Sequence, residues 1–179
     1  MSKFAIQMVE ESGVDVDNLL ELLIAGAISE VAALRYYDLL SSRLCKEEDD
    51  GLFEVIQIAG MEDKNHYEAL ITRIDELGGK MPETSAVYCS LQNGCTDGIA
   101  DIITVLQEAA ARAMSGCNEL CKITYNKDFR TYDLALAILH EKTEHEGWFA
   151  GILDGESAVR FLRQGITSPF VRKFLNGWD

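Results

Sequence analysis

The stretch Glu62-Asp63-Lys64-Asn65-His66 decides the fold, together with its counterpart Glu141-Lys142-Thr143-Glu144-His145. Around the first, Phe53, Ile56, Ala59, Asp63, His66, Leu70 and Ile74 recur at three- and four-residue steps, so they share one face of a helix from about Leu52 to Leu77. Gly78-Gly79 stops that helix and Pro82 follows, the order expected past a helix C-terminus. The counterpart lies in a periodic run from about Thr131 to Leu153. Each stretch has an acid-bearing helix upstream. Leu19, Leu20, Leu23, Ala27, Val31, Leu34, Tyr37 and Leu40 mark a helix from about Asp17 to Cys45 that carries Glu30. A helix opening at Thr96 or Asp97, either a reasonable N-cap, runs to about Thr124 and carries Glu108.

The turns complete the plan. Lys46 to Gly51 joins the first two helices, and Tyr125 to Asp128 joins the last two. Between the pairs, Lys80 to Cys95 is rich in turn formers, too long for a tight hairpin, and long enough to cross a bundle. The pattern of hairpin, long crossover, hairpin predicts an all-α four-helix bundle with one long crossover between helices two and three. Residues 1–179 form a single domain, with helices at 17–45, 52–77, 97–124 and 131–153 and a C-terminal arm at 154–179, in which Pro169 to Leu175 forms a short helix or a docking arm.

The two hairpins carry the same residue types at nearly the same offsets. Glu30 is followed 32 residues later by Glu62 and 36 later by His66; Glu108 is followed 33 later by Glu141 and 37 later by His145. Glu30, His66, Glu108 and His145 lie ~15–18 residues from their turns, roughly 25 Å along a helix, so antiparallel folding brings them to one depth, with Glu62 and Glu141 a turn away. An acid and a His three or four residues apart face the same way. Four or more carboxylates and two imidazoles converging inside a bundle suit two iron or manganese ions, which take hard oxygen donors and imidazole. Burying so many acids requires a cation or raised pKa values. Taken alone, Glu108 reads as a solvated helix residue and either His as a structural one; the matched offsets and the apolar setting of Ile102 to Ala111 argue for a shared site. His140 points elsewhere on its helix, toward solvent. Tyr36 and Tyr37 read best as core, and Glu47 to Asp50 as a solvated loop.

Composition narrows the classes. The chain has 179 residues, only two prolines, and a net charge of -14, which repels nucleic-acid phosphates and attracts cations. No run of 18 apolar residues exists to span a membrane. Met1 to Glu10 lacks the features of a secretory signal. The cysteines, Cys45, Cys89, Cys95, Cys117 and Cys121, form no C-x-x-C pair, and their odd number suits reduced thiols in the cytoplasm.

At Glu62 to His66 with Arg73 to Gly79, at Lys127 to Leu139 leading into Glu144 to Phe149, and at Ser168 to Leu175, the chain resembles the Dps-like branch of the ferritin-like superfamily, the thioferritins, related to bacterioferritin. The resemblance runs from Val14 to Leu175, and the fourth-helix segment is its specific part. It implies a hollow twelve-subunit cage that oxidises Fe(II) at a di-metal centre, often with hydrogen peroxide, and stores ferric mineral. The implied ligands are Glu30, Glu62 or Asp63, His66, Glu108, Glu141 and His145, holding iron, with manganese or zinc as other metals. Two positions depart from the pattern. Lys142 stands where an acid is expected three residues before His145, and either weakens metal binding or supplies a counter-charge. Cys121 matches one member of a cysteine pair that the branch carries near its centre, implying a redox role, while Arg112 stands at the other expected position.

The sequence thus predicts a cytoplasmic Dps-like ferritin whose partners are iron ions, peroxide and further copies of itself, with no nucleic acid and no membrane. The rival readings are a ferritin-like scaffold with an impaired metal centre and a non-cage di-iron oxidoreductase.

Overall fold

The computed structural model describes residues 3–44, 51–81 and 98–162. These residues contain α1 (Lys3–Glu11), α2 (Val16–Arg43), α3 (Leu52–Glu76), α4 (Ile99–Thr124), α5 (Phe129–Leu153) and a 3-10 turn at Ala158–Phe161, with no strand among them. The long helices form the expected bundle. α2 pairs with α3 and α4 with α5 as hairpins; α2 also packs on α4, and α3 on α5.

The ends of the helices follow local chemistry. Asp15 caps α2, its side chain accepting from the Asn18 backbone N–H at 3.1 Å. Past α3, Gly78 adopts φ +76° and the Gly79 N–H reaches the Ile74 carbonyl at 2.9 Å, which closes the helix as Gly78-Gly79 foretells. Asp128 caps α5, so this helix begins at Phe129, two residues before the expected Thr131. α4 begins after Gly98, which makes no side-chain cap bond; the expected caps Thr96 and Asp97 lie outside the described residues. So do the acidic turn Glu47 to Asp50, most of the Lys80 to Cys95 connection, and the arm at Pro169 to Leu175. α1 is an addition to the expected plan. Of its side chains Val9 is buried, whereas Phe4 and Met8 are exposed.

The core is split in two. Toward the end of the bundle where α3 stops, Leu19, Leu23, Ala27, Leu70, Ile74, Leu120, Leu134 and Ile138 pack together. Toward the other end, Leu40, Val55, Ile56, Ile102, Leu106, Trp148 and Phe149 do the same, and Tyr37 joins them as core. Fully burying each Leu, Ile or Phe contributes about 1.5–3 kcal/mol. Between the two clusters lies a layer of buried polar side chains. Among the described residues, no helix is long and apolar enough to cross a membrane.

Candidate metal centre

The polar layer is built by three helices. α2 supplies Glu30; α3 supplies Glu62, Asp63 and His66; α5 supplies Glu141, Lys142 and His145. All seven are at most 3% exposed. Helical spacing sets their directions: each His lies four residues after a Glu and three after its second partner, Asp63 or Lys142.

α3 and α5 exchange contacts across the layer. His66 Nε2 meets Glu141 Oε2 at 2.5 Å, and His145 Nε2 meets Glu62 Oε2 at 2.8 Å. An ionised carboxylate only accepts, so each imidazole donates its Nε2–H there and turns Nδ1 inward. Both Nδ1 atoms face the same oxygen, Asp63 Oδ1, at 3.5 Å from His66 and 3.3 Å from His145. His66 Nδ1 also lies 3.4 Å from Glu30 Oε1. Lys142 Nζ donates to Glu30 Oε2 at 2.6 Å and sits 2.7 Å from Asp63 Oδ1 as an ion pair.

Charge governs the behaviour of these groups. Burial alone would raise Asp63, but Lys142, His145 and His66 outweigh it and hold the carboxyl well below the usual range. Burial opposes charging of His66, yet Asp63, Glu141 and Glu30 hold it well above its ordinary value. For His145, burial is likewise outweighed by Asp63 and Glu62. Lys142 is raised despite burial by Asp63 and Glu30. Burial first, then Asp63 and Glu30, push the Tyr37 hydroxyl well up.

The residues fit a bound divalent ion. Apart from the Lys142 ion pair on Asp63 Oδ1, the buried atoms Asp63 Oδ1 and Oδ2, His66 Nδ1 and His145 Nδ1 make no hydrogen bond. Such atoms are costly unless something else engages them. Glu30, Asp63 and His66 each offer a donor atom, and these atoms all lie within 4.8 Å of one another. Carboxylate oxygen and imidazole nitrogen together suit iron, manganese or zinc. Glu62 and Glu141 hold the far side of each ring, the arrangement that fixes the tautomer of a metal-binding His.

Of the predicted residues, Glu30, Glu62, Asp63, His66, Glu141 and His145 come together, and Glu108 does not. Its side chain is 64% exposed and lies 3.5 Å from Arg112 on the outside of α4. The reason is one residue of register. In the first hairpin Asp63 follows Glu30 by 33 residues and His66 by 36; the same steps back from Lys142 and His145 both land on Ala109, not Glu108. One residue turns a helix by about 100°, which carries Glu108 off the inner face. His140 is exposed, as its position on the helix predicts.

The cysteines also sort differently. Cys121, singled out from the sequence, is buried in the apolar cluster, and burial alone raises its thiol. Cys117 is the one that feels the centre. It lines a cavity of about 220 Å³ with Leu22, Gly26, Glu30, Leu70 and Arg112. Neither Cys117 nor Cys121 is in a disulfide. Lys142 was readable as a departure, but its place inside the layer follows from a signal in the stripe Leu134, Ile138, Lys142, His145, Phe149, which keeps a core period across the lysine.

Comparison with known proteins agrees with this geometry. Residues 27–158 match the ferritin-like domain family. The chain is 43% identical over 177 residues to a protein of Pyrococcus furiosus called "DNA protection during starvation protein", covering 94% of this chain and 95% of that one. Among solved structures it is similar to a bacterioferritin-related protein from Bacteroides fragilis described as a dodecameric thioferritin, with TM-score 0.77 and 20% identity over 89% of this chain and 97% of that one. A protein from Xanthomonas campestris matches with TM-score 0.67 and 14% identity, over 82% of this chain and 94% of that one.

Proposed function

Because the chain belongs to the ferritin-like family, and specifically resembles its Dps proteins across almost its whole length, we propose that it captures Fe(II) at the buried layer, oxidises it to Fe(III), and retains the product inside an assembly of its own copies. The observation that carries this reading is the cluster of inward donor atoms from Glu30, Asp63 and His66, with the unbonded Nδ1 of His66 and His145 beside them, sealed between apolar clusters. Iron is the substrate here. Glu30, Asp63 and His66 take the ion, His145 faces Asp63 from the other side, and Glu62 and Glu141 hold the imidazoles in place. With hydrogen peroxide as oxidant, two Fe(II), one peroxide and two protons give two Fe(III) and two waters, the second electron coming from a further Fe(II) delivered to the same site or held by a neighbouring copy. Removal of iron and peroxide together protects against oxidative damage. The net charge of -14 favours cation entry and disfavours direct contact with DNA, so protection proceeds through iron chemistry. The setting is the cytoplasm, where thiols such as Cys117 stay reduced.

The test adds Fe(II) to the purified protein, then oxygen or peroxide, and follows ferric absorbance against a protein-free control. The expected result is faster oxidation, with iron co-eluting with protein on gel filtration. Oxidation at the control rate with no iron retained refutes the proposal. A second reading is favoured by Lys142 and by the outward Glu108: a scaffold whose impaired centre binds a cation without oxidising it. Metal retained without accelerated oxidation identifies that case.

A further inference from the structure

Resting on the cation-binding reading above, we infer that the centre holds one divalent cation per chain, and that the Lys142 ammonium is a built-in cation standing where a second ion would sit. The Glu30 carboxylate has two flanks, and Asp63 Oδ1 is shared between them. On one, Lys142 Nζ lies 2.6 Å from Glu30 Oε2 and 2.7 Å from Asp63 Oδ1. On the other, His66 Nδ1 faces Glu30 Oε1 at 3.4 Å and Asp63 Oδ1 at 3.5 Å. Glu30 therefore spends one oxygen on the ammonium and turns the other to the imidazole. A carboxylate with one oxygen turned to each of two cations is the arrangement of a bridging ligand; here one of the two positions is filled covalently by the chain.

The sequence of the second hairpin points the same way. Its positions equivalent to Glu30 and Asp63 are Ala109 and Lys142, so two carboxylates are replaced by a methyl and an ammonium. Nothing on α4 makes up the loss, because Glu108 is exposed beside Arg112. The donors that remain grouped within 4.8 Å are Glu30, Asp63 and His66, all on the first hairpin. Lys142 is 3% exposed, so water does not screen its charge from a second ion placed on the same oxygens. Lys142 thus restricts the count and gives Glu30 and Asp63 a partner when no metal is bound, which keeps the layer folded between fillings.

The experiment titrates the full-length assembled protein with Mn(II), in excess Ca(II) to suppress weak surface sites, and reads stoichiometry by calorimetry and electronic coupling by EPR. The native chain is expected to take one Mn(II) with the spectrum of an isolated ion. Lys142→Glu restores a carboxylate three residues before His145 and is expected to take two, with a spin-coupled spectrum. Two coupled Mn(II) in the native chain overturn the inference and leave the proposed function standing. No Mn(II) bound by the folded native chain refutes the cation-binding reading itself, and this inference with it. One Mn(II) in a folded Lys142→Glu variant overturns the claim that the ammonium holds the second place. If that variant does not fold, Lys142→Met provides the second measurement: its metal-free form is expected to melt lower than native and to recover on Mn(II) addition, and an unchanged melting temperature counts against the ammonium as a built-in cation.

Discussion

Burial, and next the Glu30 carboxylate, push the Cys117 thiol up to about 12, against the opposing pull of Lys142. The thiolate is the reactive form, so at pH 8 only about one Cys117 in ten thousand is ready to react. Alkylation of native protein by iodoacetamide, read by peptide mass mapping, should be at least about 1000-fold slower at Cys117 than in denaturant. Labelling at the unfolded rate would show that the cavity opens to solvent. The same scale explains which site residues were legible from the sequence. Glu30, Asp63, His66 and His145 sit in phase with apolar neighbours, so periodicity alone places them inside. Glu108 fails by one position: its apolar surroundings cover both faces of α4, and composition without phase cannot tell Glu108 from Ala109. Lys142 is the opposite case. Its phase is that of Ile138 and Phe149, but a lysine is almost never fully buried unless paired, and its partners Glu30 and Asp63 lie 112 and 79 residues away in the chain.

At the scale of elements, the end of α3 is locked to the start of α5 by charge. Arg73, 3% exposed, donates from Nε to Thr131 Oγ1 at 2.8 Å, from Nη2 to Asp128 Oδ2 at 2.7 Å and from Nη1 to Glu76 Oε2 at 2.9 Å. Arg130 approaches the same Glu76 in a two-pronged pair, its Nε at 2.6 Å from Oε2 and its Nη2 on Oε1. Burial raises the Glu76 carboxyl, but Arg130 and Arg73 outweigh it and hold it below the ordinary 4.5. A depressed carboxyl stabilises the fold above its unfolded pKa, and the contribution disappears as pH falls through the lowered folded value. Glu76→Gln should therefore cost at most about 1 kcal/mol at pH 7, because solvent screens this partly exposed pair, and the cost read by thermal melts should shrink as pH falls below the ordinary carboxylate range. A gap that does not shrink in acid would trace the loss to packing instead. This clamp was invisible in the sequence because it joins residues 54 to 58 positions apart. The caps were partly visible: Gly78-Gly79 marks its own helix end, whereas Asp128 was read as a turn residue and Gly98 carries no side chain to announce a start. α1 was missed because its nine residues are short beside the four long periods; its exposed Phe4 and Met8 show that it gives only part of its surface to this chain.

Over the whole molecule, the hairpin–crossover–hairpin plan could be read from the chain's own periodicity, whereas the proposed assembly was implied only by resemblance. The plan follows from four long apolar periods; an interface between copies leaves no period of its own. What it leaves is surface. Phe4 and Met8 on α1, Met61 on α3, and Tyr125 with Phe129 at the α4–α5 turn are large apolar side chains in contact with water in the single chain, and they are the surface available to the proposed contacts between copies. Against this attraction stands the net charge of -14 on every chain, which multiplies when copies gather. Apolar contact holds at all ionic strengths, whereas like-charge repulsion is screened over about 10 Å at 0.1 M salt and reaches roughly 30 Å at 0.01 M. The assembly should therefore be complete in moderate salt, at a mass near twelve times the 19.9 kDa chain if the copies form a dodecamer, and should loosen as salt is removed. Divalent cations should restore it at far lower concentration than sodium, because they neutralise carboxylates pair by pair. Light scattering coupled to size exclusion, run across a salt series with and without Mg(II), reads this directly. A 19.9 kDa species at every salt concentration would show that the exposed apolar residues serve no self-contact, and retention of iron inside a shell of copies would fall with it.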